Sequence, residues 1–197
     1  LAKGILVDAR DQRDYTPLAY AAKSLNADEQ VLQLLIDSGA DVNATVEEQK
    51  RRPVGLAACS GDLRKVGLLL DAGADIKYES PQGYTILVDV MYSLHEAEML
   101  VPMIVFLVKN GAELDCRTDY GESPLSVAAF QGRFDAVKFL LKAGADETPL
   151  QWTKLMKAVA LGTCDDVKQL LDENARLDDR DRWNRTPWLL TPFVDEV

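Results

Sequence analysis

One histidine, three cysteines and no glycine-rich phosphate loop leave this chain of 197 residues little material for catalysis. His95 stands beside Glu96 with no serine or cysteine nucleophile motif to act on, and reads as a surface-loop histidine rather than a general base. No HExxH and no Cys/His cluster spaced for zinc occurs, so neither a metal nor a cofactor is expected. Cys59, Cys116 and Cys164 are odd in number and form no CxxC pair, which suggests free thiols in a reducing compartment. Long apolar runs are missing too. The longest, Met99 to Val108, is ten residues with Pro102 inside, half of what a membrane span needs. No basic segment followed by an apolar stretch opens the chain, so no secretory signal is read and a cytoplasmic location is expected. Positive charge is also in deficit. Lys and Arg total 22 against 32 for Asp and Glu, a net charge of −10 that would repel a phosphate backbone and makes nucleic acid a poor partner. The acidic stretch Asp165 to Asp181 lacks the spacing of a calcium loop and reads as a solvated helix surface and loop.

What the chain does have is repetition. Thr16-Pro17-Leu18 followed by Ala21-Ala22 returns as Arg52-Pro53-Val54 with Ala57-Ala58, and as Ser123-Pro124-Leu125 with Ala128-Ala129. Weaker copies open at Thr85 and Thr153, and a last one at Thr186. A second element alternates with the first: Leu34-Leu35 before Gly39-Ala40-Asp41, Leu69-Leu70 before Gly73-Ala74-Asp75, Leu107 before Gly111-Ala112-Glu113, and Leu140-Leu141 before Gly144-Ala145-Asp146. It decays to Leu170-Leu171 before Asn174-Ala175. These two linked motifs resemble the ankyrin repeat. The resemblance covers nearly the whole chain and implies an all-α solenoid of stacked helix–turn–helix units joined by short inter-repeat fingers. The second motif position falls at 17, 53, 86, 124, 154 and 187, giving steps of 36, 33, 38, 30 and 33 residues. The domain is divided accordingly into a tail of an earlier repeat at 1–10, repeats at 11–46, 47–79, 80–117, 118–147 and 148–180, and a partial repeat at 181–197. Both ends look cut, as in an excerpt from a longer array.

Local chemistry agrees with helix pairs. Thr16 and Ser123 can cap free N–H groups, and the following prolines suit the first helical position. Val31, Val66 and Val137 stand three and four residues before a Leu-Leu pair, predicting the apolar stripe of each second helix. Gly39, Gly73, Gly111 and Gly144 mark helix ends, and Asn174 takes the same place in the fifth repeat. Leu18, Leu35, Leu70, Leu87, Leu107, Leu125, Leu141 and Leu171 are expected in the core.

The resemblance also implies where partners bind: on finger residues just before the Thr-Pro and on residues after the Ala-Ala. In this chain those positions hold Arg13, Tyr15, Arg51, Tyr84, Tyr92, Tyr120, Phe130, Trp152 and Trp183, and also Gln49. Tyr, Trp and Arg are the residues that dominate binding hot spots. Trp152 is a special case, because the short step before it deletes part of a finger. The function expected is non-catalytic binding of a protein partner through a concave face, with acidic charge favouring a basic partner surface, a monomeric state, and no membrane role. Two alternatives stand: an inhibitor or immunity-type protein neutralising a toxin or enzyme, and a regulatory arm of a larger enzyme or channel.

Overall fold

A computed structural model describes residues 6–46, 50–95 and 97–190. Gln49, and the ends of the first and last segments at 1–5 and 191–197, lie outside the described residues. The described residues form α-helices in consecutive pairs. The first helices of the pairs are α1 (Pro17–Lys23), α3 (Pro53–Cys59), α5 (Ile86–Ser93), α7 (Pro124–Phe130) and α9 (Lys154–Leu161). The second helices are α2 (Glu29–Asp37), α4 (Leu63–Asp71), α6 (Ala97–Lys109), α8 (Phe134–Ala143) and α10 (Cys164–Asp172). Two compact units divide the chain, Leu1–Glu122 and Ser123–Val197.

Several helices start and stop on the caps that their sequence offers. The Thr16 hydroxyl accepts from the Ala19 N–H at 3.2 Å, and Ser123 forms a reciprocal capping box with Ser126. At the far ends of the second helices one hydrogen bond recurs in every pair. The N–H of Ala40, Ala74, Ala112, Ala145 and Ala175 reaches back to the carbonyl of Leu35, Leu69, Leu107, Leu140 and Leu170, at 2.9–3.1 Å. Closing that turn requires a left-handed residue just before the alanine. Gly144 supplies it at φ 100°, and Asn174 supplies it at φ 59°.

This bond sets the register, and it corrects the stripe expected for α2. Seven residues before the left-handed position stand Leu32, Val66, Ile104 and Val137, all fully buried. In α2 the buried residue is therefore Leu32, while Val31 and Leu34 face water. Counting from the Leu-Leu pair puts α2 one residue out, because its pair ends four residues before the glycine where the others end three before it. Leu18, Leu87, Leu107 and Leu125 are buried as expected; Leu171 on α10 is half-buried, as is Leu170 before it; and Leu70 and Leu141 are half-buried because the leucine one place earlier, Leu69 or Leu140, holds the core position. Leu35 does occupy that position and is nonetheless half-buried.

In the first unit α3 packs between α1 and α5, with Ala21, Ala22, Ala57 and Ala58 buried at the close approach. The length changes fall in different places. The extra residues of the first repeat lengthen the connection 24–28, whereas most of those in the third extend α6 to 13 residues against nine for α2 and α4. That is one more helical turn rather than a loop. Lys65 on α4 is 1% exposed and reaches the open C-terminal end of α1, where its ammonium donates to the carbonyls of Ala21 (3.1 Å) and Ser24 (2.5 Å). A cation there satisfies carbonyls that the helix itself leaves free and opposes the negative end of its dipole. In the second unit α7 packs on α8, and α9 on α10 and on the closing 3₁₀ turn Pro187–Leu190. Among the described residues no helix is long and apolar enough to cross a membrane.

Candidate interaction cleft

Tight hairpins lead into most of the first helices and into the closing 3₁₀ turn, and they carry several of the side chains named from the sequence. In four of them an N–H bonds the carbonyl four residues on: Asp11 to Tyr15, Ser80 to Tyr84, Thr118 to Glu122 and Asp181 to Arg185, at 2.9–3.1 Å. The residue before the acceptor is left-handed in each, at Asp14, Gly83, Gly121 and Asn184. Gly83 has a further reason to be glycine, since a Cβ there would sit 2.9 Å from the Arg117 carbonyl oxygen. The hairpin at Val46–Arg51 is one residue longer. Between the fourth and fifth pairs no hairpin forms: the short connection folds into the 3₁₀ turn Thr148–Leu150, with Gln151 left-handed behind it.

In the first unit these hairpins and α5 enclose an open cleft of about 560 Å³, lined by Arg51, Ser80, Gln82, Tyr84, Asp89, Tyr92, Ser93 and Tyr120. Its floor depends on a glycine in another repeat. Gly55 on α3 leaves the space that the Tyr78 phenol fills, since a Cβ at 55 would lie 1.9 Å from the Tyr78 oxygen. Tyr78 is thereby buried and donates to Asp89 Oδ2 at 3.1 Å. Burial pushes the Asp89 carboxyl above the ordinary aspartate range, while the Tyr78 hydrogen bond and the Arg51 charge act in the opposite direction. The walls are tyrosine. Tyr84 and Tyr92 rings stand 6.2 Å apart at 47°, a favourable tilted pairing. Tyr92 donates to Glu122 Oε1 at 2.7 Å, which fixes the ring while leaving it 40% exposed. Tyr120 stands 69% exposed at the rim. Near the floor, burial raises the Cys59 thiol to about 11, so it stays protonated at neutral pH.

A family model of ankyrin repeats (three copies) matches residues 1–80, 54–149 and 90–181. The chain belongs to the ankyrin-repeat family. Among its relatives, palmitoyltransferase AKR1 of Lachancea kluyveri is 28% identical over 160 residues, covering 77% of this chain and 21% of the relative. Human ankyrin repeat and SOCS box protein 6 is 28% identical over 132 residues, 58% of this chain and 31% of the relative. The neurogenic locus Notch protein of Drosophila melanogaster is 32% identical over 156 residues, 71% of this chain and 6% of the relative. The chain thus spans about a fifth to a third of the length of the first two.

Of the ankyrin recognition positions named from the sequence, Arg51, Tyr84, Tyr92 and Tyr120 come together in the cleft. Arg13 is exposed on the first hairpin, where Tyr15 is only 4% exposed. The Tyr15 ring packs 4.8 Å from that of Tyr20, its hydroxyl accepts from the Lys23 ammonium at 3.1 Å, and Tyr20 in turn donates to Asp11. The ring of Tyr15 therefore serves the packing of its own repeat.

The second unit holds the other three. Phe130 is 60% exposed and lies 5.8 Å from Trp183, whose ring carries the guanidinium groups of Arg185 at 4.6 Å and Arg182 at 5.2 Å. Arg185 is tied down by Asp181 Oδ2 at 2.8 Å and the Ala129 carbonyl at 3.1 Å. Trp152 packs against the cluster of Met156, Ala160 and Leu190, with Phe134 at 6.3 Å. Sequence reasoning missed Gly55, Tyr78 and Asp89. Gly55 carried a signal, since glycine inside a first helix is costly unless something occupies the space. His95 is exposed between α5 and α6.

Proposed function

We propose that this chain is a non-catalytic interaction module that captures a protein partner through the tyrosine-lined cleft of its first unit. The observation that carries this reading is the convergence of three tyrosines, an arginine and a half-buried aspartate on one open surface whose backbone is held by hairpin hydrogen bonds. Tyrosine offers large contact area for two rotatable bonds, and a rigid backbone lowers the ordering entropy of association. A net charge of −10 favours a partner with a basic surface by steering the encounter. The module acts as a monomer in the cytoplasm. Membership of a family that presents repeats for protein binding supports the same reading.

The test is affinity capture from the source organism's lysate by the wild type and by a variant with the cleft rings Tyr84, Tyr92 and Tyr120 changed to Ala. The expected result is a protein retained by the wild type and lost by the variant, with the two melting temperatures nearly equal. Equal capture by both overturns the assignment of the surface. A melting temperature that collapses in the variant makes the rings structural instead.

A second reading has its own support. The matched segment is 21% of a relative named as a palmitoyltransferase, so these repeats serve equally as the regulatory arm of a larger enzyme. In that case the surface captured would belong to the same protein, and joining the repeats to the rest of their reading frame would compete with capture in trans.

A further inference from the structure

The cleft has a chemical bias that narrows its occupant. Asp89 forms part of its floor, and the Tyr78 hydroxyl is bound to Oδ2. Behind the wall, Glu122 takes the Tyr92 hydroxyl, so a second carboxylate lies one ring away. Arg51 is the cation among the lining residues, and its charge already acts on Asp89. Among the described residues, Asp89 and Glu122 set against Arg51 leave one negative charge in excess. Three phenol rings complete the walls, and the negative face of an aromatic ring attracts cations. The same fold shows the preference elsewhere: the Arg52 guanidinium lies 5.6 Å from the centre of the Tyr78 ring, and the Lys23 ammonium lies 5.1 Å from that of Tyr15.

Resting on the interaction reading above, we propose that the cleft seats one arginine side chain of an extended partner segment, with its guanidinium against the Tyr84, Tyr92 and Tyr120 rings and paired with the Asp89 carboxylate. Arginine suits the site better than lysine for two reasons. A planar guanidinium stacks on a phenol ring and presents a fork of donors to a carboxylate, whereas an ammonium is compact and holds its water more tightly. A cleft of about 560 Å³ exceeds one side chain and leaves room for the flanking residues of the segment. An acidic side chain would meet Asp89 and Glu122, so Arg51 serves to hold Asp89 rather than to receive an anion.

The experiment is a titration of the whole isotope-labelled chain, followed by amide chemical shifts, with N-acetyl-arginine-N-methylamide. The citrulline, lysine and aspartate counterparts serve as comparison probes. The arginine probe is expected to bind in the millimolar range, shifting amides at 80–93 and 120, with the lysine probe weaker and the uncharged citrulline probe weaker by about tenfold. Asp89→Asn should bring arginine down to the citrulline level, and Tyr120→Ala should weaken it while the spectrum stays dispersed. Equal binding of citrulline, binding of the aspartate probe, shifts confined to other surfaces, or no shift up to the solubility limit each overturns the proposal. Failure of the arginine probe alongside loss of the captured partner in the three-ring variant removes the arginine seat and leaves the interaction reading standing. Failure of both removes the reading itself.

Discussion

Tyr84 and Trp152 hold the same place in their repeats, one residue ahead of the threonine that opens a first helix, and they do opposite things. Tyr84 closes a five-residue hairpin through its carbonyl and turns its ring into an open cleft. Trp152 follows a connection too short for a hairpin, and its ring joins the cluster of Met156, Ala160 and Leu190. Its indole N–H is buried and meets no acceptor among the described residues. The length of the connection separates Tyr84 from Trp152, but Tyr15 ends the same five-residue hairpin and is 4% exposed against Tyr20, so a hairpin permits an outward ring without imposing one. The fold of each hairpin is closed by main-chain bonds, so the ring that follows is free for other work. Remove the hairpin and the ring fills the gap.

That contrast can be broken by substitution. Trp152→Ala should have the largest effect on stability, a loss of about 3 kcal/mol from the cavity it opens, measured by denaturant unfolding and felt mainly in its own and neighbouring repeats. Trp152→Phe should cost far less, since it keeps much of the aromatic packing and removes an N–H that has no acceptor among the described residues. If Trp152→Ala unfolds at the wild-type denaturant concentration, the ring is not core. Gly55→Ala comes next, at about 1–3 kcal/mol, because the added methyl cannot coexist with the Tyr78 phenol and flexible repacking relieves only part of the clash. It should also weaken partner binding, whereas the cost of Trp152→Ala should leave binding in the first unit unchanged.

Asp89→Asn should have the smallest effect on stability and the opposite sign. Its carboxyl is raised in the folded chain, chiefly by burial. A raised acid binds its proton more readily folded than unfolded, so ionisation costs stability as pH climbs from the ordinary aspartate range through the raised value. Asparagine keeps an oxygen for Tyr78 and removes that cost, so the variant should be as stable as the wild type at acid pH and slightly more stable at neutral pH. Capture of a basic partner should move the other way, improving over the same rise in pH as Asp89 ionises between Tyr78 and Arg51. A variant that loses stability at neutral pH would contradict this.

Much of the fold was legible because it is local. A capping hydroxyl before proline, a pair of alanines and a glycine stop each act within a few residues, and Asn174 at φ 59° shows that the position matters more than the glycine. The stripe of α2 differs from the one expected because a Leu-Leu pair looks alike in two registers; counting back from Gly39, as the hydrogen bond from Ala40 to Leu35 does, separates them. The cleft was half legible. Arg51, Tyr84, Tyr92 and Tyr120 stand at positions the repeat marks out, but the floor is built across repeats. Gly55 on α3, Tyr78 in the next connection and Asp89 on α5 meet only when helix pairs stack, and no spacing in the sequence announces that meeting.

The most direct test of the central claim places a photo-reactive benzoylphenylalanine at Tyr120 in one variant and at Leu34 on α2 in another, both exposed positions in the first unit. Irradiation with the captured partner should give a crosslinked band from position 120 and none from position 34. Crosslinking from 34 alone would place the partner on the second helices and contradict the account.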